Sequence, residues 1–400
     1  MDLQKNKFND NIVVMISREL VEQVKTELVW YPIVSLTGPR QSGKSTLLRT
    51  FFSEFDYVTL EDVDALREVT DDPRGFLNRR KTPLIIDEAQ KAPELFSYIQ
   101  TKTDNDNTVG EYILSGSQNF LMMKRITQSL AGRVGILRLM PLSYRELSMT
   151  TDEIIDLNIT MLRGGYPRLY DRNINPEVFF HDYLETYVER DVRDLSNVHD
   201  LNKFRSFIQL CALRNGQLIN YASLASDVGV SEMTIRGWLS LLETSYIIRV
   251  LPPYYRQLSR RLIKSPKFYF IDTGFLCYLL DIKTVDELKS SKYYGSIFEA
   301  FVISEIVKNS YNQGKSIRNI CFYRDSESKE IDLVIENRPD DLELYEIKAS
   351  ETRKSDFADA VNSIGELLSV SENQRNIIYQ GEDGVRVSGV NFINWRKVVK

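Results

Sequence analysis

One run of eight residues constrains this chain more than any other: Gly38-Pro39-Arg40-Gln41-Ser42-Gly43-Lys44-Ser45. It fits G-x-x-x-x-G-K-[ST], with apolar Ile33-Val34-Ser35-Leu36 before it and Thr46, Leu47 and Leu48 after it. A strand must therefore pass into a helix through a glycine-rich loop whose N–H groups can turn inward around phosphate oxygens. In that geometry residues 38–46 cradle the phosphates of a nucleotide such as ATP, Lys44 reaches the β/γ-phosphates, and the Ser45 hydroxyl ligates Mg²⁺. The loop does not read the base.

A second strand, Leu84-Ile85-Ile86, ends in Asp87-Glu88. Asp87 suits the metal side of such a site and Glu88 the activation of a water. A third apolar run, Tyr112–Leu114, leads into Ser115-Gly116-Ser117-Gln118-Asn119. Ser117 and Asn119 there fit two roles equally, holding the attacking water or γ-phosphate, or capping a helix. Arg133, in Leu130-Ala131-Gly132-Arg133, is either a surface arginine or a stabiliser of transition-state charge, acting in cis or from a neighbouring subunit.

At 400 residues the chain has room for two or three domains, and real cores need no disulfide or metal staple. Lys+Arg 51 against Asp+Glu 56 gives a net charge of −5, which excludes a wholesale basic coat for nucleic acid but not a local patch. The three cysteines show no CxxC spacing, and two histidines leave little for a His-rich metal site or a Ser-His-Asp triad. The charge-free stretches are too short to span a bilayer and MDLQKNKFND is no signal peptide, so the expectation is a cytoplasmic protein without membrane contact.

The first third alternates short apolar runs (33–37, 57–60, 83–87, 112–115, 134–139) with helical stretches, the pattern of an α/β domain with a parallel sheet. The expected units are a P-loop ATPase domain at 1–150, a helical connector at 151–215, a winged helix at 216–290 and a nuclease-like α/β domain at 291–400. The segments LTGPRQSGKSTLL, LEDVDALREVTDDPRGFL, LIIDEAQKAPELF, ILSGSQNF, SLAGR and PLSYREL resemble the AAA-type ATPase core of a prokaryotic P-loop family. That core is typically followed by a C-terminal domain of unknown function, and the likeness continues through RGGYPRLY and YLETYVERDV into the tail. The resemblance implies ATP binding with Mg²⁺.

Residues 221–231 lead into 232–243 as a helix-turn-helix, with Gly229 at the turn and Ser231 as N-cap. Arg249, Arg256, Arg260, Arg261, Lys264 and Lys267 follow, with Tyr254, Tyr255, Phe268 and Tyr269 interleaved and no acidic residue. Such a winged helix either touches DNA, with Thr234 and Arg236 toward bases and Arg256, Arg260 and Arg261 toward phosphates, or serves as a protein-contact module.

The tail is expected as helix (296–310), strands (320–323, 331–336, 342–347), helix (355–368) and strand (376–379). A turn centred on Pro339 sets Asp332 opposite Glu346 and puts both, with Lys348, on one face. Glu299 on the preceding helix approaches the same edge. Glu299, Asp332 and Glu346 are candidate metal ligands, and Glu346 and Lys348 candidate catalytic groups, in an order similar to the PD-(D/E)xK nuclease superfamily. The alternatives are a solvated sheet edge or a binding module on the same fold. Three functions follow as expectations: an ATPase switching a DNA-associated C-terminal half, an ATP-regulated DNA nuclease, and a non-enzymatic binding switch. A homo-oligomer is compatible with all three.

Overall fold

β1 (Ile33–Thr37) is buried at every position and sits inside a five-stranded sheet of order β2-β3-β4-β1-β5. The other strands are β2 (Asp56–Thr59), β3 (Leu84–Asp87), β4 (Tyr112–Gly116) and β5 (Val134–Arg138), and every pairing is parallel. A parallel sheet needs helices on both faces, and the side-chain period of two divides the apolar residues accordingly. Val34, Leu36, Ile85, Ile113 and Leu137 pack with Leu20, Val21 and Val24 of helix Leu20–Trp30 and with Leu47 and Leu48 of helix Lys44–Phe51. Ile33, Ile86, Tyr112 and Leu114 pack on the other face against Val69, Phe76, Leu77, Leu95, Phe96 and Ile99. This is a computed structural model, and it describes residues 16–399 apart from 107, 118–121, 123–125, 127–128, 151–154, 189–199, 255–264 and 355. Asn119, Arg256, Arg260, Arg261 and Lys264 lie outside the described residues.

After the sheet, Ser143 and Glu146 close a capping box on helix Tyr144–Ser148. Helices Leu157–Arg163, Arg168–Asp171, Pro176–Tyr183 and Leu201–Leu213 follow. Helices Tyr221–Val228 and Glu232–Thr244 meet at Gly229, and an antiparallel ribbon, β6 (Ile248–Leu251) with β7 (Lys267–Phe270), comes next. Ala225 and Trp238 are buried, as the helix-turn-helix pattern predicts.

The C-terminal sheet has six strands in the order β12-β13-β11-β10-β9-β8: β8 (Ile320–Arg324), β9 (Glu330–Arg338), β10 (Asp341–Ile347), β11 (Arg375–Tyr379), β12 (Val385–Val387) and β13 (Val390–Asn394). The last two strands and the closing helix Trp395–Val399 are additions to the sequence reading. The 19-residue helix Tyr294–Asn312 is the longest element described, and no described helix is long and apolar enough to cross a membrane. One hydrophobic cluster runs from Met140 through Phe207, Trp238, Phe270 and Phe301 to Trp395. The connector, the helix-turn-helix and part of the tail therefore share a core, while the C-terminal sheet also buries a cluster of its own, with Ile331, Val334, Leu344 and Ile377 packed with Ala358, Val361 and Ile364.

Candidate functional sites

The carboxyl ends of β1, β3 and β4 open on one side of the first sheet, where ligands of open α/β sheets bind. The glycine-rich loop leaves β1 there, and Gly43 caps helix Lys44–Phe51 at φ 93°, a value that favours glycine. Lys44 is buried and donates to the carbonyls of Gly38 and Pro39 at 2.9 and 2.8 Å. Ser45 Oγ donates to Asp87 Oδ2 at 2.6 Å, so the two groups expected to share Mg²⁺ already touch. Asp87 also accepts the hydroxyls of Tyr57, at 2.7 Å, and Ser115. Burial alone would raise the Asp87 carboxyl, but bonds from Ser115, Ser45 and Tyr57 and the charge of Lys44 outweigh it and hold the group below the usual value. A hydroxyl beside an ionised carboxylate is the donor set Mg²⁺ takes.

Glu88 stands in a left-handed conformation at φ 55°, between Gln90 Nε2, which donates to its Oε2, and Ser117 Oγ, 3.2 Å from the same oxygen. Ser117 is thus beside the expected water-activating carboxylate. Pro39, Arg40, Gln41, Ser42 and Thr46 occupy the loop and the first turn of its helix.

Arg133 requires a correction. It precedes Val134, which pairs with Ile33 at the amino-terminal end of β1, whereas the phosphate loop leaves the other end after Thr37. Its guanidinium instead pairs with Asp104, Nη2 lying 3.0 Å from Oδ2. This placement sets it at the opposite end of the sheet from its own chain's phosphate loop.

Sequence reasoning missed the group that braces the loop. Arg18, buried, donates to the Ser42 carbonyl at 2.7 Å, to the Met140 carbonyl at 2.6 Å and to Glu146 Oε1 at 2.9 Å. The ring of Pro167 also sits against Gly43. From the same region Leu142 donates its N–H to the Gly165 carbonyl at 2.7 Å and accepts Lys308 Nζ at 3.2 Å. Glu305 binds both Lys308 and the Tyr144 N–H, at 2.9 and 2.6 Å. A continuous set of polar contacts thus joins the phosphate loop to helix Tyr294–Asn312.

The second site lies on the interior strands β9 and β10 of the C-terminal sheet, beside Lys267 of β7, which bonds Glu330 of β9. The hairpin loop is Pro339-Asp340, closed by Arg338 opposite Asp341, so the turn is not symmetric about Pro339. A bulge after Asp341 restores the expected register: Tyr345 faces Leu333, and one step further Glu346 faces Asp332. Asp332 is buried and accepts the Ile347 N–H at 2.9 Å, while Lys348 donates to Glu346 Oε1 at 2.6 Å. Glu299, with 19% of its side chain exposed, accepts the Tyr269 hydroxyl at 2.6 Å. Burial first, then the charge of Asp332, pushes the Glu299 and Glu346 carboxyls each up to about 8.

The expected trio is not assembled as a cage. Among the described residues no three His, Cys, Asp or Glu side chains are grouped to hold a metal ion. Lys267 also departs from the expected basic wing: it is buried against this cluster, bonded to Glu330 and 3.9 Å from Glu299. Arg249 likewise pairs with Glu243, at 3.3 Å. On the helix-turn-helix, Arg236 is exposed with its guanidinium 3.7 Å from the centroid of the Tyr221 ring. Thr234 Oγ1 lies 2.8 Å from the N-cap oxygen of Ser231.

The sheet, the loop and the Ser45–Asp87 pair define a P-loop nucleotide-binding domain. Residues 31–148 match the profile of an AAA domain, and this segment is similar to AAA-type ATPases. Residues 154–286 and 294–398 match two domains of unknown function, DUF8612 and DUF4143. An uncharacterized protein of Mycobacterium tuberculosis is 29% identical over 372 residues, 91% of this chain and 80% of that one. One of Haemophilus influenzae is 22% identical, over 95% of this chain and 98% of that one. Among solved structures, a Walker-type ATPase of Pyrococcus abyssi aligns at TM-score 0.47 and 15% identity, over 66% of this chain and 96% of that one. The RuvB Holliday junction branch migration motor of Thermotoga maritima aligns at 0.29 and 17%, over 59% and 90%.

Proposed function

We propose that this chain binds and hydrolyses ATP with Mg²⁺ and passes its nucleotide state to the C-terminal half. The observation that carries the reading is the convergence of Lys44, Ser45 and Asp87 at the carboxyl ends of β1 and β3, with Glu88 next to Asp87. Lys44 leaves its loop carbonyls to meet the β/γ-phosphates, and Ser45 and Asp87 hold the ion, which supplies charge neutralisation to the phosphates. Glu88 orients and deprotonates the attacking water, and Ser117 and Gln90 position Glu88 through its Oε2. Gly38, Pro39, Arg40, Gln41, Ser42, Gly43 and Thr46 complete the phosphate cradle, with Asn119 expected on the same side. The contacts from Arg18 through Leu142 to Lys308 supply a path for coupling.

We read the unit around helices Tyr221–Val228 and Glu232–Thr244 as a winged helix and assign it a DNA contact. The exposed face of the second helix, Glu232, Met233, Arg236 and Gly237, supports this, with Arg256, Arg260 and Arg261 expected on the wing. A second reading, that the C-terminal sheet is a nuclease-like site with Asp332, Glu346 and Lys348 as its working groups, is favoured by Glu346 Oε2. That oxygen is buried without a hydrogen-bond partner, directly across from Asp332.

The ATPase reading is tested by two variants. Lys44→Ala should abolish hydrolysis, because the loop's motif lysine is lost. Glu88→Gln should bind ATP as the wild type does yet turn over at least about 10²-fold more slowly, as general-base loss predicts. Equilibrium nucleotide binding and phosphate release measure both, and normal turnover in Glu88→Gln removes Glu88 from the mechanism.

A further inference from the structure

The helix-turn-helix reaches the root of the phosphate loop. Thr37 closes β1 and precedes Gly38, the first residue of the loop. Thr37 is fully buried, and its hydroxyl shares a hydrogen bond of 2.9 Å with the hydroxyl of Tyr246, 209 residues further along the chain. It also donates to the Leu137 carbonyl of the neighbouring strand at 3.4 Å. Tyr246 is 6% exposed and lies in the turn between helix Glu232–Thr244 and β6. Two backbone bonds fix that turn: the Tyr246 N–H meets the Glu243 carbonyl at 3.0 Å, and the Ile247 N–H meets the Leu242 carbonyl at 2.9 Å.

The turn is strained. Tyr246 stands at φ 59°, a left-handed value that disfavours a bulky side chain and persists only where the surroundings hold it. Glycine or asparagine takes such a backbone more easily, but neither carries a hydroxyl to Thr37. The other end of the same helix is open, with Met233 82% exposed, while Ile235, Trp238, Leu239 and Leu242 anchor its inner face. Thirteen residues at about 1.5 Å each make the helix a rod of about 20 Å between that open end and Tyr246. On the loop side, Lys44 holds the carbonyls of Gly38 and Pro39 at 2.9 and 2.8 Å. The backbone that rearranges when Lys44 turns to phosphates therefore begins one residue from the Tyr246 contact.

We propose that Tyr246 is a positioning residue for the phosphate loop, and that its bond to Thr37 ties ATP binding to the placement of helix Glu232–Thr244. The proposal rests on the ATP-binding reading of the loop. A loop whose root is already held loses less freedom when it closes on phosphates, so the bond favours binding. Linkage is reciprocal: ATP then holds Tyr246 and the end of its helix more firmly, and a ligand that shifts the helix alters ATP affinity in turn. This route enters the loop at Thr37, whereas Arg18 enters it at Ser42.

The test uses the full chain and ATP with Mg²⁺, with affinity from calorimetry and amide hydrogen exchange followed over residues 232–251. Tyr246→Phe keeps the ring and removes the bond, and it should bind ATP about two- to tenfold more weakly, as the loss of one buried hydrogen bond predicts. ATP should slow exchange over 232–251 in the wild type and no longer do so in Tyr246→Phe. Thr37→Val should lose both properties, Thr37→Ser, which keeps a hydroxyl, should retain them, and Tyr246→Phe added to Thr37→Val should weaken binding no further. Wild-type affinity in Tyr246→Phe, or slowed exchange that survives in it, overturns the proposal and leaves the ATP reading in place. Losses that add in the double variant show the two hydroxyls acting separately and overturn it as well. A wild type that binds no ATP overturns the ATP reading and the proposal together. If Tyr246→Phe does not melt cooperatively, Thr37→Val against Thr37→Ser decides by the same two measurements.

Discussion

Arg18 shows how much a single buried side chain can organise that no motif announces. Its Nη1, Nη2 and Nε reach Ser42, Met140 and Glu146, groups 24, 122 and 128 residues away in sequence. Removing it strands the Glu146 carboxylate, which among the described residues then keeps the N–H groups of Glu19 and Ser143. Breaking a buried pair from one side costs about 3–5 kcal/mol, and the two remaining N–H bonds favour the lower figure for Arg18→Ala. Urea unfolding measures this; a loss under about 1 kcal/mol would make the brace incidental. Nucleotide affinity should fall as well, because the Ser42 carbonyl loses its anchor. The phosphate loop itself was legible because all its parts lie within eight consecutive residues. Arg18 and Lys267 were not, since their partners are set by the fold: Lys267 sat in a basic run that reads as a solvated wing, yet its ammonium meets Glu330, 63 residues on.

At the scale of elements, local chemistry was readable and short edge pieces were not. The Asp332–Glu346 pairing followed from turn residues and strand period, although a bulge after Asp341 does the aligning rather than symmetry about Pro339. β12 has three residues between Gly384 and Gly389, too few for a periodic signal. The polar break at 163–165 ends helix Leu157–Arg163 at Gly164, φ 79°, where a side chain would run into the carboxylate of Asp272. Asp272 joins two elements there, accepting the Gly165 N–H at 2.7 Å and the Phe275 N–H at 3.0 Å. Burial raises its pKa, and the charge of Lys308 and the bonds from Gly165, Phe275 and Gly274 offset that only in part. The folded chain therefore holds this proton more tightly than the unfolded chain does. Its contribution is complete below the unfolded value of about 3.9 and fades as pH rises through the higher folded value. Asp272→Ala should lower stability by about 1–3 kcal/mol for each N–H left unpaired and should flatten the decline with rising pH. Thermal melts from pH 4 upward check both; an unchanged slope would show that Asp272 does not titrate in this range.

Across the whole molecule, the nucleotide site and Arg133 lie at opposite ends of one sheet. Four residue steps separate Ile33, level with Val134, from Thr37, level with Arg138, roughly 13 Å of strand at about 3.3 Å per residue. A guanidinium at 34% exposure, paired with Asp104 at the far end, has no route to its own phosphate loop. If Arg133 stabilises transition-state charge, the phosphate it serves belongs to another copy of the chain. In that arrangement turnover per chain rises steeply with protein concentration, because each active site is assembled from two subunits. Arg133→Ala alone should lose about 10³-fold or more in turnover, the loss typical of a missing arginine finger, while still binding ATP. Mixing Arg133→Ala with Lys44→Ala chains should restore part of the activity, since an intact phosphate loop on one then meets an intact arginine on the other. Concentration-independent turnover, in a protein that light scattering shows to remain monomeric, would leave Arg133 as a surface arginine tied to Asp104.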